Sequence, residues 1–197
     1  LGIHALDRYF QFFGLGTPAG LTGFAESSGT IPTPEWKASV FDGDPWRLGD
    51  TYNTAIGQYG VQVTPLQMAR VAAALASGKL LTPTLIASST KQSTTLPFTE
   101  RTFDVVREGM RMAVVEGTAA ALNVPFVDVA GKTGTAQVGT ANQFMNSWVI
   151  GFYPYENPRW AFAMVLERAP AGTATGAPAA MNAFLWWLEQ HAPQYLD

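Results

Sequence analysis

The sequence predicts an α+β fold: a three-strand antiparallel meander flanked by helices. Three observations carry it. Residues 126–138, 146–155 and 159–168 are three consecutive apolar segments with strand-like spacing, the last two joined by the turn Asn157-Pro158. Helical periods of three and four occupy the segments before and after them. In the third strand Trp160, Phe162, Met164 and Leu166 alternate with Ala161, Ala163 and Val165, so both faces are apolar and both are expected to be covered by helices. Helices and an antiparallel sheet then form packed layers.

The elements follow in order. Ile3, Leu6, Phe10 and Phe13 recur at helical spacing, and Gly14 ends that helix. Residues 14–49 are rich in Gly, Pro, Ser and Thr and read as a long ordered loop region with short turns, with Trp36 and Trp46 arguing for packing. Thr64-Pro65-Leu66-Gln67 starts a helix: Thr64 caps, Pro65 suits the first turn and Gln67 completes a capping box. That helix runs through Ala69, Ala72, Ala73 and Ala76 to Gly78. Residues 80–87 read as a short extended segment and 88–97 as a polar loop. Phe103, Val106, Met110, Ala113 and Val114 mark another helix, ending near Gly117. After the strands, residues 171–177 form a Gly/Ala/Thr loop. A last helix from Pro178 buries Met181, Phe184, Leu185 and Leu188.

Composition narrows the function classes. The 197 residues are 47% hydrophobic and 14% charged, which is globular material with a core. The net charge is −3 and no Lys/Arg cluster exists, so nucleic acid is not an expected partner. Cysteine is absent, and the only histidines, His4 and His191, sit at opposite ends. No metal site or cofactor is implied. No apolar run reaches the roughly 18–20 residues that span a bilayer. The chain opens at Leu1-Gly2-Ile3 without a Met and reads as an interior piece of a longer polypeptide.

Several motifs have plain readings. Gly14-Leu15-Gly16-Thr17-Pro18-Ala19 matches a dinucleotide fingerprint, but a helix precedes it and Pro18 interrupts it, so it reads as a turn. Asp42-Gly43-Asp44 and Asp50 lack calcium-loop spacing and read as a solvated loop. Ser88-Ser89-Thr90-Lys91 matches S-x-x-K, but the helix that would bring serine and lysine to one face carries no signal here.

The run Ala130-Gly131-Lys132-Thr133-Gly134-Thr135-Ala136-Gln137 is different. It follows the apolar residues 126–129 and so lies on a strand. Gly131 and Gly134 weaken a strand and are best explained by a close backbone or ligand. Lys132, Thr133 and Thr135 concentrate groups that bind carboxylates. Strict alternation places Lys132 and Gly134 on one face and Thr133 and Thr135 on the other. One ligand meets both sets only along the strand's edge, so this strand is expected to border a cleft.

At this point the chain resembles the transpeptidase domain of penicillin-binding proteins, the serine acyl-transferase fold shared with β-lactamases. K-T-G is one of that family's signatures. The resemblance extends to Gly49-Asp50-Thr51-Tyr52-Asn53, to Ile56-Gly57-Gln58 and to residues 63–69. It continues through Gly117-Thr118-Ala119, Trp148-Val149-Ile150-Gly151-Phe152 and Ala177-Pro178. Pro34-Glu35-Trp36-Lys37 and Ile56-Gly57-Gln58 lean toward the elongation-type class B subfamily. Residues 1–197 then look like the C-terminal portion of one such domain. The family's nucleophilic serine, base lysine and S-x-N motif belong upstream and are not in this chain.

The resemblance implies acyl transfer on D-Ala-D-Ala stem peptides of peptidoglycan, with β-lactams acylating the same serine. Lys132 would stabilise developing charge and orient the S-x-N serine. Thr133 and Thr135 would hold the substrate carboxylate, and the Thr135 N–H would supply one oxyanion donor. Gly134 would admit the nucleophile's helix, and Gln137 would contact the stem peptide. The implied setting is the extracytoplasmic, periplasmic face of a bacterial inner membrane, with an anchor upstream. The implied partners are the N-terminal half of the same domain and a cell-wall glycosyltransferase of the elongation machinery. Within the same fold, a D,D-carboxypeptidase, a β-lactam sensor, a β-lactamase and a non-catalytic interaction module remain alternatives. The fragment alone is expected to be inactive and to expose apolar surface and an unpaired strand edge.

Overall fold

The computed structural model describes residues 1–87, 89–170 and 176–196. Its elements in order are α1 (Ile3–Phe12), α2 (Pro34–Val40), α3 (Leu48–Ala55), α4 (Pro65–Ser77), β1 (Lys79–Leu81), β2 (Ser93–Thr95), α5 (Glu100–Val115), β3 (Ala130–Val138), β4 (Phe144–Tyr153), β5 (Trp160–Pro170) and α6 (Gly176–His191). The principal sheet is antiparallel in the order β3-β4-β5, and β1 pairs with β2 in a small second sheet. This is the α+β meander that the periodicity predicts.

The start of α4 forms as its sequence requires. Thr64 Oγ1 accepts the Gln67 N–H (3.1 Å), and Gln67 Oε1 accepts the Thr64 N–H (2.8 Å). The buried Gln67 amide also donates to the carbonyls of Thr17 (2.8 Å) and Ser28 (2.9 Å), tying the preceding loop to the helix. Gly78 closes α4 in the left-handed region at φ 72°, where a side chain is strained.

The segment 14–49 departs from the loop expectation: it contains α2 and the start of α3. Both helices are short, and a long-range contact holds them rather than a local apolar stripe. Lys37 of α2 is 3% exposed, and its Nζ donates to Asp50 of α3 (2.6 Å) and pairs with Asp44 (2.9 Å). Trp36, Phe41, Trp46 and Tyr59 pack edge-to-face beside it. The bond to Asp50 raises the Lys37 pKa. The same bond lowers that of Asp50, and Arg47 then Lys37 hold Asp44 well below the usual carboxylate range.

Further boundaries differ: the extended segment expected over 80–87 is a strand only over Lys79–Leu81, and β4 and β5 run Phe144–Tyr153 and Trp160–Pro170 against the expected 146–155 and 159–168. β2 lies inside the segment expected to be a polar loop; its Ser and Thr side chains are exposed, so no apolar alternation marks it. β3 begins at Ala130 rather than at 126. Val127 and Val129 are buried in the core, but their segment is held by other contacts. Arg111 bonds the Asp128 carboxylate and the Val129 carbonyl (3.1 Å), and the Asp128 carbonyl accepts the Tyr155 N–H (2.8 Å). Ser88 lies outside the described residues, and residues 89–91 form no helix. Of the expected 171–177 loop, 171–175 lie outside the described residues, and Gly176 already belongs to α6.

The sheet separates two apolar layers. On one side Val149 and Tyr153 meet Met181, Leu185 and Leu188 of α6, with Trp160, Phe162 and Met164 of β5 packed against them. On the other, Phe152 and Ala130 meet Met110 of α5, with Leu75 and Ala76 of α4. Both faces of β5 have helix neighbours, α4 and α6, as its two-sided apolar pattern predicts. Its cover is partial, and Leu166 remains 41% exposed.

Gly151 and Gly131 are register partners. A methyl on Gly151 would overlap the Ala130 carbonyl and come within 2.7 Å of the Phe162 ring. Gly151→Ala is therefore expected to destabilise the domain by about 1–3 kcal/mol, read by urea unfolding. The Lys37 network predicts a pH dependence. Both carboxylates titrate lower in the fold than unfolded, so their contribution is complete above their ordinary pKa of about 4 and is lost as pH falls through the folded values. Lys37 titrates higher in the fold, so its contribution is complete below about 10.4 and is lost as pH rises through the raised value. Urea midpoints measured across acid pH should fall for the parent chain, and Lys37→Met should flatten that fall.

Candidate active site

β3 pairs with β4 without interruption from Ala130↔Phe152 to Val138↔Phe144. No register shift occurs along it, so the alternation predicted for Lys132 to Thr135 holds through the whole run. β4 occupies one side of β3, and among the described residues no strand occupies the other. Lys132, Gly134, Thr135 and Gln137 are exposed along that free edge, and Thr133 is half-buried.

The two faces of the strand look in different directions. Lys132 lines an apolar groove of about 390 Å³ together with Leu75, Val106, Gly109, Met110 and Ile150. Its Nζ donates to the Thr133 carbonyl at 2.6 Å, so the ammonium lies back along its own strand. That contact marks the Thr133 carbonyl as accessible from the edge. Backbone groups alternate in direction along a strand, which turns the Thr135 and Gln137 backbone to the same edge. Thr133 faces the opposite way from Lys132, and its Oγ1 is 2.7 Å from Thr118 Oγ1 in the turn after α5.

The glycines have separate explanations. A methyl on Gly131 would lie 3.1 Å from Leu122 Cδ1 and 3.3 Å from the Ile150 carbonyl oxygen, so packing within the chain accounts for it. A methyl on Gly134 would meet only Trp148 Cβ, at an ordinary 3.5 Å. Nothing described in this chain requires a glycine there. Gly109 is similar: it lies inside α5, beside the groove, and a methyl on it would meet nothing within 4 Å. A mid-helix glycine costs about 1 kcal/mol relative to alanine, and no contact among the described residues explains it.

The strand residues stand out in the sequence, whereas the contact of Thr118 with Thr133 does not. A signal was available in the motif Gly117-Thr118-Ala119, but only the fold brings the turn to the strand. Lys132, Thr133, Gly134, Thr135 and Gln137 all lie on one edge strand, while Ser88 falls outside the described residues.

Comparison with known proteins gives a consistent match. The family model described as penicillin binding protein transpeptidase domain matches residues 1–185. The peptidoglycan D,D-transpeptidase MrdA of Haemophilus influenzae is 30% identical over 98% of this chain and 34% of its own length. The protein of that name from Escherichia coli K12 is 32% identical over 89% of this chain and 32% of its own. The structure described as a complex between penicillin-binding protein PBP2 and MreC from Helicobacter pylori superposes with a TM-score of 0.84 at 28% identity, covering 98% of this chain and 36% of that one. Pseudomonas aeruginosa PBP2 in complex with WCK 5153 gives 0.78 at 29% identity, covering 98% and 45%. The chain thus spans about a third of the length of the curated relatives it matches. With a matching family model over residues 1–185, it belongs to the penicillin-binding protein transpeptidase domain family, class B.

Proposed function

We propose that the protein containing this chain is a serine-type peptidoglycan D,D-transpeptidase of the elongation type, and that this chain supplies the K-T-G wall of its active site. The observation that carries the reading is a β3 edge, unpaired among the described residues, on which Lys132, Thr133, Gly134 and Thr135 follow one another in unbroken register. A peptide can add to such an edge as a further strand, with main-chain bonds supplying affinity and side chains supplying selection.

In the proposed reaction an upstream serine attacks the penultimate D-Ala carbonyl of a stem peptide. The terminal D-Ala leaves, and an amine of a neighbouring stem resolves the acyl-enzyme. Water in place of the amine would make the product of a carboxypeptidase. The Thr135 N–H donates to the oxyanion as the tetrahedral intermediate forms. Thr133 and Thr135 hydroxyls donate to the terminal carboxylate, and the Lys132 ammonium offsets developing negative charge and orients the S-x-N serine. Gln137, further along the same edge, contacts the stem peptide. β-Lactams present a comparable carbonyl and carboxylate and acylate the same serine.

The N-terminal half of the same domain is the proposed occupant of the apolar groove beside Lys132. Support comes from Gly109 and Gly134, which no contact among the described residues requires, and from Val105, Val106, Met112 and Val115 of α5, all exposed. The side of β5 that no strand among the described residues pairs offers a second surface for it. Among the described residues no helix is long and apolar enough to cross a membrane. We place the site at the periplasmic face of a bacterial inner membrane, held by an upstream anchor and working beside a cell-wall glycosyltransferase. Relatives described in complex with MreC and as a peptidoglycan synthase complex support a multi-protein setting.

Labelling with fluorescent penicillin tests the reading. This chain alone should form no covalent adduct, and the domain with its upstream half should form one. Lys132→Ala in that domain should slow labelling by about 10²–10³, the usual loss when a group stabilising developing charge is removed. Labelling of the isolated chain would sink the assignment of the nucleophile to the upstream half.

A further inference from the structure

Thr118 is a residue to which neither the sequence reading nor the comparisons assign a role. It sits in the turn after α5, and its hydroxyl oxygen lies 2.7 Å from that of Thr133. Both side chains are solvent-accessible there, so water could satisfy either one, and pairing them adds little to stability. Yet the turn is held with unusual care. A methyl on Gly117 would come within 2.8 Å of Ala113 Cα. Ala119 is fully buried and donates its N–H to the Ala113 carbonyl (2.9 Å). Leu122 is fully buried and packs in the space above Gly131. Asn182 of α6 donates to the Ala121 carbonyl at 2.6 Å. Between these anchors the Thr118 hydroxyl is left facing β3.

We propose that Thr118 is a positioning residue that orients the Thr133 hydroxyl toward the ligand carboxylate; the inference rests on the reading of the β3 edge as the stem-peptide site. A threonine hydroxyl has one proton and two lone pairs. When Thr118 donates to Thr133 Oγ1, the single Thr133 proton is free for the ligand. A carboxylate at the edge accepts that proton's bond and selects this direction for the pair. Donation into the Thr133 oxygen also polarises its O–H, which strengthens the bond to an anion. Without Thr118 the Thr133 hydroxyl rotates freely, and part of its orientation is lost on each binding event.

The test uses the full-length protein and two probes, a penicillin and its methyl ester, which differ in the carboxylate alone. Thr118→Val should lower the second-order acylation rate by the penicillin about three- to tenfold. Thr118→Ser should restore most of it. The ester, which reacts more slowly with the parent protein, should be unaffected by Thr118→Val, and the thermal midpoint should not move. Thr118→Val added to Thr133→Val should cost nothing beyond Thr133→Val alone, because the one acts through the other. Equal slowing of penicillin and ester, multiplicative losses in the double variant, or an unchanged penicillin rate each overturns the proposal. A parent protein that reacts with neither probe overturns the proposed function itself and this inference with it.

Discussion

Gly131 and Gly151 lie opposite each other on neighbouring strands, and the space their missing side chains leave is occupied from two sides. Leu122 comes down over Gly131, and the Phe162 ring comes down over Gly151. This close approach draws the 117–122 turn onto the sheet and sets β3 at a fixed distance from α5. Side chains larger than hydrogen would lift the turn, and the interior has no slack to absorb the shift. The exposed residues of the K-T-G edge therefore depend on two buried positions that carry no chemistry of their own.

From that constraint the layout of the edge follows. α5 passes the start of β3 so that Met110 reaches one face, beside Ala130 and Phe152, while Val114 reaches the other core. Lys132 opens toward the apolar groove on the first side, and Thr133 opens toward Thr118 on the second. The strand edge between them carries the backbone groups. Under the proposed function a ligand added there would meet an ammonium from one face and a hydroxyl from the other, an arrangement that follows from the period of two.

Much of this was legible in the residues. The capping box at Thr64–Gln67 is local chemistry, readable because its partners are three positions apart. The β3, β4 and β5 segments carry apolar patterns long enough to stand out, and the K-T-G run names its own strand. α2 and α3 are short and start on local caps at Thr33 and Arg47, but what ties them together, Lys37 reaching Asp50 across thirteen positions and the contact of Trp36 with Tyr59, shows only in the fold. β2 was hidden because an exposed strand of Ser and Thr has the composition of a loop. The lead-in to β3 looked like strand because Val127 and Val129 are apolar; they are buried, but Arg111 holds the backbone there instead of a ladder.

By itself the sequence determined the fold class, the family and the order of chemical groups along the strand, since these depend on residue type and on spacing within short windows. It also showed two glycines in the run without separating them. Only the tertiary structure decided that Gly131 answers to Leu122 while Gly134 meets, among the described residues, no more than an ordinary contact with Trp148, because that distinction lies in which atoms stand above each Cα. The same is true of Thr118. Fifteen positions separate it from Thr133, and no local pattern reports a contact made by packing a turn onto a pair of glycines.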